Sequence, residues 1–132
     1  MTLSNENRAL VHEARKIIEK RFKPNWHQVG SALRTRSGKI FSAVHLEAHV
    51  GRIAVCAEAV TLGMAAAEGD TEIDTIVAVD HLGNIVSPCG MCREFISDYS
   101  PNACVIAPGN NGEEVIMIGK LLPNKYARKE ET

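Results

Sequence analysis

The stretch SPCGMCREF, residues 87–95, holds Cys89 and Cys92 three positions apart behind Pro88. On a helix that starts after the proline, both sulfurs share one face and can converge on one atom. The unpaired N–H groups and partial positive charge of a helix start favour thiolates. Taken alone, a C-x-x-C pair fits a metal site, a redox dithiol or two ordinary buried cysteines. Cys56, in VCAEAV at the start of another expected helix, supplies a third thiol. Three thiols on two helix starts make three ligands of a tetrahedral zinc site. Structural sites fill the fourth position with protein, and catalytic sites leave it to water. Glu58, two residues after Cys56, is the side chain that would use an open position. In the competing, structural reading, His49 is the fourth ligand of a Cys3His module that binds protein. Cys104 lies in the apolar run ACVIAP and reads as a small core residue.

The surrounding elements must bring these groups together. Leu10, Val11, Ala14, Ile17, Ile18 and Phe22 recur at helical spacing and predict a helix starting after Ser4 or Asn5. WHQVGSALRTRSGKIFSAVHLE reads as two strands around an RSGK turn. AVCAEAVTLGMAAAEGD reads as a helix stopped at Gly69-Asp70. IDTIVAVD is β-branched without polar alternation, which predicts a strand buried on both faces. HLGNIVSP reads as loop with at most a short strand. CGMCREFISDYS reads as a helix ending before Pro101, and ACVIAP as a second buried strand. GNNG is turn material, and EEVIMIGKLLP a strand with a short helix. The order α-β-β-α-β-α-β-β-α predicts one mixed sheet with helices on both faces. No repeat, low-complexity stretch or linker divides residues 1–132, so one domain is expected.

Composition narrows the function classes. With 45% hydrophobic and 23% charged residues, the chain has a globular mixture able to bury a core without staples. A net charge of −1 gives no basic excess to attract a phosphate backbone, so no nucleic-acid partner is expected. No apolar run approaches the roughly 20 residues that span a bilayer. The polar, charged start has no signal-peptide pattern, which predicts a cytoplasmic protein with free thiols. His12 and His81 read as surface and loop residues.

CAE, followed about thirty residues later by PCGMCRE, resembles the cytidine deaminase family, with its pattern C-A-E … P-C-x-x-C. VGSALRTRSGKIF is similar to the family's hairpin, and LLPNKY to its carboxy-terminal ending. The resemblance implies a three-layer α/β/α sandwich around a mixed five-stranded sheet. It implies one Zn²⁺ on Cys56, Cys89 and Cys92, with Glu58 as proton shuttle, and hydrolytic deamination of cytidine or deoxycytidine, as in pyrimidine salvage. It also implies that backbone groups around Ala57 and Ser87–Pro88 hold the pyrimidine edge, and that Trp26 or His27 faces the ring. Tyr126 matches an aromatic that helps close a neighbouring subunit's pocket in the family's homotetramers.

The chain departs from the family pattern at two places. Many three-cysteine members have arginine directly after the glutamate, where it offsets thiolate charge; here the position is Ala59, with Arg52 and Arg93 as candidate replacements. The family's N-x-E, which holds the ribose, appears as HLE: Glu47 fits, and His45 replaces asparagine. Glu47 would accept sugar hydroxyls, favouring a ribose-like group. His45 would narrow the sugar site or bind an anionic substituent. SALRTRSGKIF and CAEAVTLGMAAAEGD are especially similar to blasticidin S deaminases, which act on a cytosine nucleoside antibiotic and also lack that arginine. The two substrate readings stand nearly level.

Overall fold

A computed structural model of the chain describes residues 3–129. Helix α1, Asn5–Arg21, has Ser4 as its N-cap, and the Ser4 hydroxyl accepts the Asn7 N–H at 3.1 Å. Leu10, Val11, Ala14 and Ile18 form its buried face. The expected hairpin is β1, Val29–Thr35, paired antiparallel with β2, Ile40–Val44. A small ladder follows that the sequence does not announce: β3, Leu46–Glu47, pairs with β4, Ala54–Val55, around a 3-10 turn at Val50–Arg52. Then come α2, Ala57–Ala67, and β5, Ile73–Asp80. Gly69, at φ +70°, turns the chain out of α2 in the left-handed region that glycine adopts freely. The chain continues through β6, Ile85–Val86, α3, Gly90–Tyr99, β7, Cys104–Gly109, and β8, Gly112–Met117. A 3-10 turn at Ile118–Leu121 stands where the short last helix is expected.

The main sheet runs β2-β1-β5-β7-β8, the five strands expected, and β6 adds a short sixth strand beside the end of β5. β5 and β7 are parallel, joined through α3, while every other pair is antiparallel. The central strands alternate between two buried faces. Leu33, Ile76 and Val105 pack with Leu62, Cys92 and Ile96, under α2 and α3. Their neighbours Ala32, Val77 and Ile106 pack with Leu10, Ala14 and Ile18 of α1. The result is three layers, α1 on one face and α2 with α3 on the other. No helix among the described residues is long and apolar enough to cross a membrane.

Gly30 sets how closely α1 approaches the sheet. A Cβ there would stand 2.6 Å from the Ala14 carbonyl oxygen and 2.9 Å from the Ile18 Cβ, so only glycine fits without movement. On the opposite face, β4 leads straight into α2, and β6 leads through Ser87 and Pro88 into α3. The two helix starts therefore open at the same end of the sheet's other layer.

Candidate active site

Cys56 and Cys89 are the N-caps of α2 and α3, with extended backbones at φ −63°, ψ 147° and φ −71°, ψ 170°. Cys92 is the third helical residue of α3, so it returns to the face of Cys89. The Cys56 and Cys89 sulfurs lie 3.1 Å apart, and all three sulfurs lie within 4.8 Å of one another. Cys92 is fully buried, Cys56 half-buried and Cys89 exposed.

The three thiols differ in their hold on protons. Burial pushes Cys56 up to about 11, helped by its hydrogen bond with Cys89. Burial also drives Cys92 far above the usual thiol range, and the neighbouring Glu58, Cys56 and Cys89 add to it. Burial opposes ionisation of Cys89 as well, but bonds from the Cys56 thiol and the N–H groups of Cys92 and Met91 outweigh it and lower its pKa. One thiolate is thus stabilised beside two thiols whose ionisation needs a compensating cation. The donor set fits zinc: at a Zn–S distance of about 2.3 Å, tetrahedral geometry puts sulfurs about 3.8 Å apart, inside the observed spread.

No fourth His, Cys, Asp or Glu joins this cluster among the described residues. His49 is not part of it; its ring meets Trp26 edge-on, with centroids 5.2 Å apart. The Cys3His arrangement of the structural reading therefore does not form. Cys104 is also apart, half-buried on β7 with its thiol 3.6 Å from the Met117 sulfur, rather than in the core as expected.

Glu58, the second residue of α2, is 6% exposed. Burial raises its pKa above the ordinary glutamate value, partly countered by its own backbone N–H. It opens on a cavity of about 210 Å³ that it shares with Cys56, Ala57, Cys89, Ser87 and His45. The volume is below the roughly 300–1,000 Å³ of drug-sized ligand pockets, which suits a small group. Val29, Ala54, Val55 and Val86 complete the wall, and sequence reasoning named none of them. Their signal was adjacency: each stands within three residues of a residue that was named, at the strand ends that open on the site.

The remaining expected residues surround this cavity at varying distance. The His45 Nδ1 accepts the Gln28 N–H at 2.8 Å, and its Nε2 lies 2.9 Å from the Glu47 Oε2. The ring nitrogen that an anionic substituent would need is thus engaged by Glu47. His27 Nδ1 bonds the His45 carbonyl oxygen at 2.8 Å, so it buttresses the wall from behind. Trp26 is half-buried under the Lys23 ammonium, 5.3 Å from its ring centroid, and is not among the cavity's lining residues. Pro88 is buried, and its carbonyl accepts the Arg93 Nε–H at 2.8 Å. Arg93 also donates to the Leu121 carbonyl at 2.9 Å and the Ser87 hydroxyl at 3.3 Å, clamping the loop that leads into Cys89. Arg52 is exposed, at φ +54° in the turn before β4. Ala59 packs against the core cluster under α2. Tyr126 is 76% exposed in a separate crevice with Glu94, Phe95 and Tyr99, away from its own chain's cavity.

Known proteins share part of this sequence and its fold. Residues 4–108 match the family model described as the cytidine and deoxycytidylate deaminase zinc-binding region. The chain is 44% identical to a blasticidin-S deaminase of Bacillus cereus, covering 96% of each chain. It is 27% identical to a cytidine deaminase of Halalkalibacterium halodurans, over 95% of this chain and 97% of the relative. Among solved structures, the cytidine deaminase of Mycobacterium tuberculosis superposes with a TM-score of 0.80 at 19% identity, over 95% of this chain and 100% of the other. That of Burkholderia pseudomallei gives 0.76 at 27% identity, over 94% and 100%. The chain belongs to the cytidine and deoxycytidylate deaminase family of zinc-dependent hydrolases.

Proposed function

We propose that the protein hydrolytically deaminates a free cytosine nucleoside at C4, with Cys56, Cys89 and Cys92 holding Zn²⁺ and Glu58 moving the protons. The observation that carries this reading is the meeting of a buried glutamate with three clustered thiols at one small cavity. Zinc held by Cys56, Cys89 and Cys92 would supply an activated water, its pKa lowered from about 16 towards 7. Glu58 would accept a proton from the attacking water and deliver it to the ring N3, which makes C4 electrophilic. A C4–O bond then forms to the water oxygen, Glu58 takes the remaining proton from that oxygen and passes it to the exocyclic amine, the C4–N bond breaks, and ammonia leaves behind a C4 carbonyl. A raised pKa suits Glu58 to both accepting and donating. Ala57 and Ser87 line the cavity, which supports a role for their backbone groups at the pyrimidine edge.

Within that chemistry we favour a blasticidin-type nucleoside. The support is the 44% identity with a blasticidin-S deaminase over nearly the whole of both chains. Plain cytidine is the second reading, supported by the cytidine deaminases that match at 27% identity over similar spans. Zinc-loaded protein assayed with cytidine, deoxycytidine and blasticidin S by ultraviolet absorbance tests both. A kcat/KM at least tenfold higher for cytidine rejects the antibiotic reading, the reverse rejects a salvage role, and turnover of none rejects the nucleoside-deaminase reading itself.

Assembly as a homotetramer belongs to the same proposal. Exposed Phe95, Tyr99 and Tyr126, at 42%, 50% and 76%, line a crevice together with Glu94, Asp98, Lys125 and Arg128, a mixed aromatic and charged surface that supports contact with a second copy. Light scattering that reports a monomer at micromolar concentration would remove it.

A further inference from the structure

We propose that His45 determines specificity on the sugar side by satisfying Glu47 from within the protein, so that the site tolerates cytosine nucleosides whose sugar lacks hydroxyl donors. The inference deepens the nucleoside-deaminase reading above and rests on it. It starts from the two nitrogens of one imidazole. The Gln28 N–H points at His45 Nδ1 from 2.8 Å, and the Val29 N–H from 3.4 Å. A backbone N–H can only donate, so Nδ1 carries a lone pair and the hydrogen-bond network assigns the ring proton to Nε2. That Nε2–H donates to the Glu47 Oε2 at 2.9 Å.

The partners fix both ends of this link. His27 Nδ1 holds the His45 carbonyl at 2.8 Å, and the His45 N–H donates to the Val29 carbonyl at 3.1 Å. Glu47 is held on β3 by its pairing with Ala54 of β4. His45 is 9% exposed and lines the cavity; Glu47 is not among the lining residues, and its side chain is 29% exposed. The imidazole forms the wall that the ligand meets, and the carboxylate oxygen it bonds is already paired before any ligand arrives.

This arrangement changes what the site demands of a sugar. An unpaired acceptor rejects a ligand without a matching donor, because closing the site leaves that acceptor without a partner. The Glu47 oxygen already bonded to His45 imposes no such penalty, and the carboxylate, 29% exposed, leaves no buried oxygen without a partner. The ribose-like preference expected from Glu47 alone is therefore relaxed, and an unsaturated or dideoxy sugar is tolerated nearly as well as ribose.

The test compares cytidine with 2′,3′-dideoxycytidine on zinc-loaded, full-length protein, by kcat/KM and by equilibrium dissociation constants in the Glu58→Gln background. The wild-type ratio of the two is expected to stay within about threefold. His45→Asn withdraws the Nε2–H from Glu47, so the ratio is expected to rise tenfold or more in favour of cytidine, through KM rather than kcat. His45→Gln, whose amide N–H can reach the Nε2 position, is expected to keep the ratio near the wild-type value. A preference for cytidine above tenfold in the wild-type protein, read without any His45 variant, overturns the inference and leaves the deaminase reading standing. A well-folded, zinc-loaded His45→Asn protein with an unchanged ratio also overturns it. If neither nucleoside binds or reacts, this inference fails; the nucleoside reading fails with it only if blasticidin S is also left untouched.

Discussion

Cys56 and Cys89 cap different helices 33 residues apart in the chain, yet their sulfurs stand 3.1 Å from each other. Each thiol sits where serine or aspartate commonly caps a helix. The positive ends of α2 and α3 therefore face the same point, and Cys92 reaches it from one turn further along α3. The positioning is done by the sheet: α2 and α3 lie on one face, each entered from a short strand at the same end.

The metal assignment separates the four cysteines. Elemental analysis of protein purified without chelator is expected to give one zinc per chain. Cys89→Ala is expected to lose the metal, and Cys104→Ala, beside Met117 on β7, to keep it. Loss of zinc from the Cys104 variant, or its retention in the Cys89 variant, would contradict the assignment.

The packing of α1 depends on the missing side chain of Gly30. A methyl group there meets the Ala14 carbonyl at 2.6 Å, and that backbone atom can yield only if the helix shifts. Gly30→Ala is expected to cost about 1–3 kcal/mol in urea unfolding, the usual scale of overpacking. An unchanged midpoint would show that α1 moves freely on the sheet.

Stability at low pH is expected to depend on Asp74. The Arg34 guanidinium bonds its carboxylate at 2.7 Å and lowers its pKa below the ordinary 3.8, against some burial. Arg34 also bonds the Asn7 side chain, so the pair ties β5 and β1 to the start of α1. A folded pKa below the unfolded one means the contribution is complete above about pH 4 and is lost as pH falls through the folded value. Because the Asp74 side chain is 37% exposed, solvent screening holds this to about 0.5–1 kcal/mol. Asp74→Asn is expected to be less stable than wild type at pH 7 by that amount, with the gap closing below pH 3.8; a gap that persists at pH 2 would contradict the ion-pair origin.

Much of this architecture is legible in the residues. Ser4, Gly69 and Pro101 mark helix ends because caps and breakers act locally. β5 and β7 read as doubly buried because both their faces are apolar. The three cysteines and Glu58 are legible through helix spacing and the family resemblance together. The β3–β4 ladder is not, since two-residue strands have no periodicity and form only when the chain closes on itself. The pairing of His45 with the Gln28 N–H is likewise invisible, because a backbone donor 17 residues away leaves no mark on residue type. Cys104 is half-buried instead of core, because an apolar run does not say which of its faces meets the edge strand; its neighbour there, Met117 of β8, is itself 41% exposed.

The account's central claim is that Glu58 moves the protons at a zinc site built by the three cysteines. The most direct measurement pairs zinc content with the rate of ammonia release for Glu58→Gln, on whichever cytosine nucleoside the wild-type protein turns over. The account predicts one zinc per chain, an unchanged fold and a kcat lower by about 10²–10⁴-fold, the weight of a general acid–base. A zinc-loaded Glu58→Gln protein that turns over at a near-normal rate would contradict it.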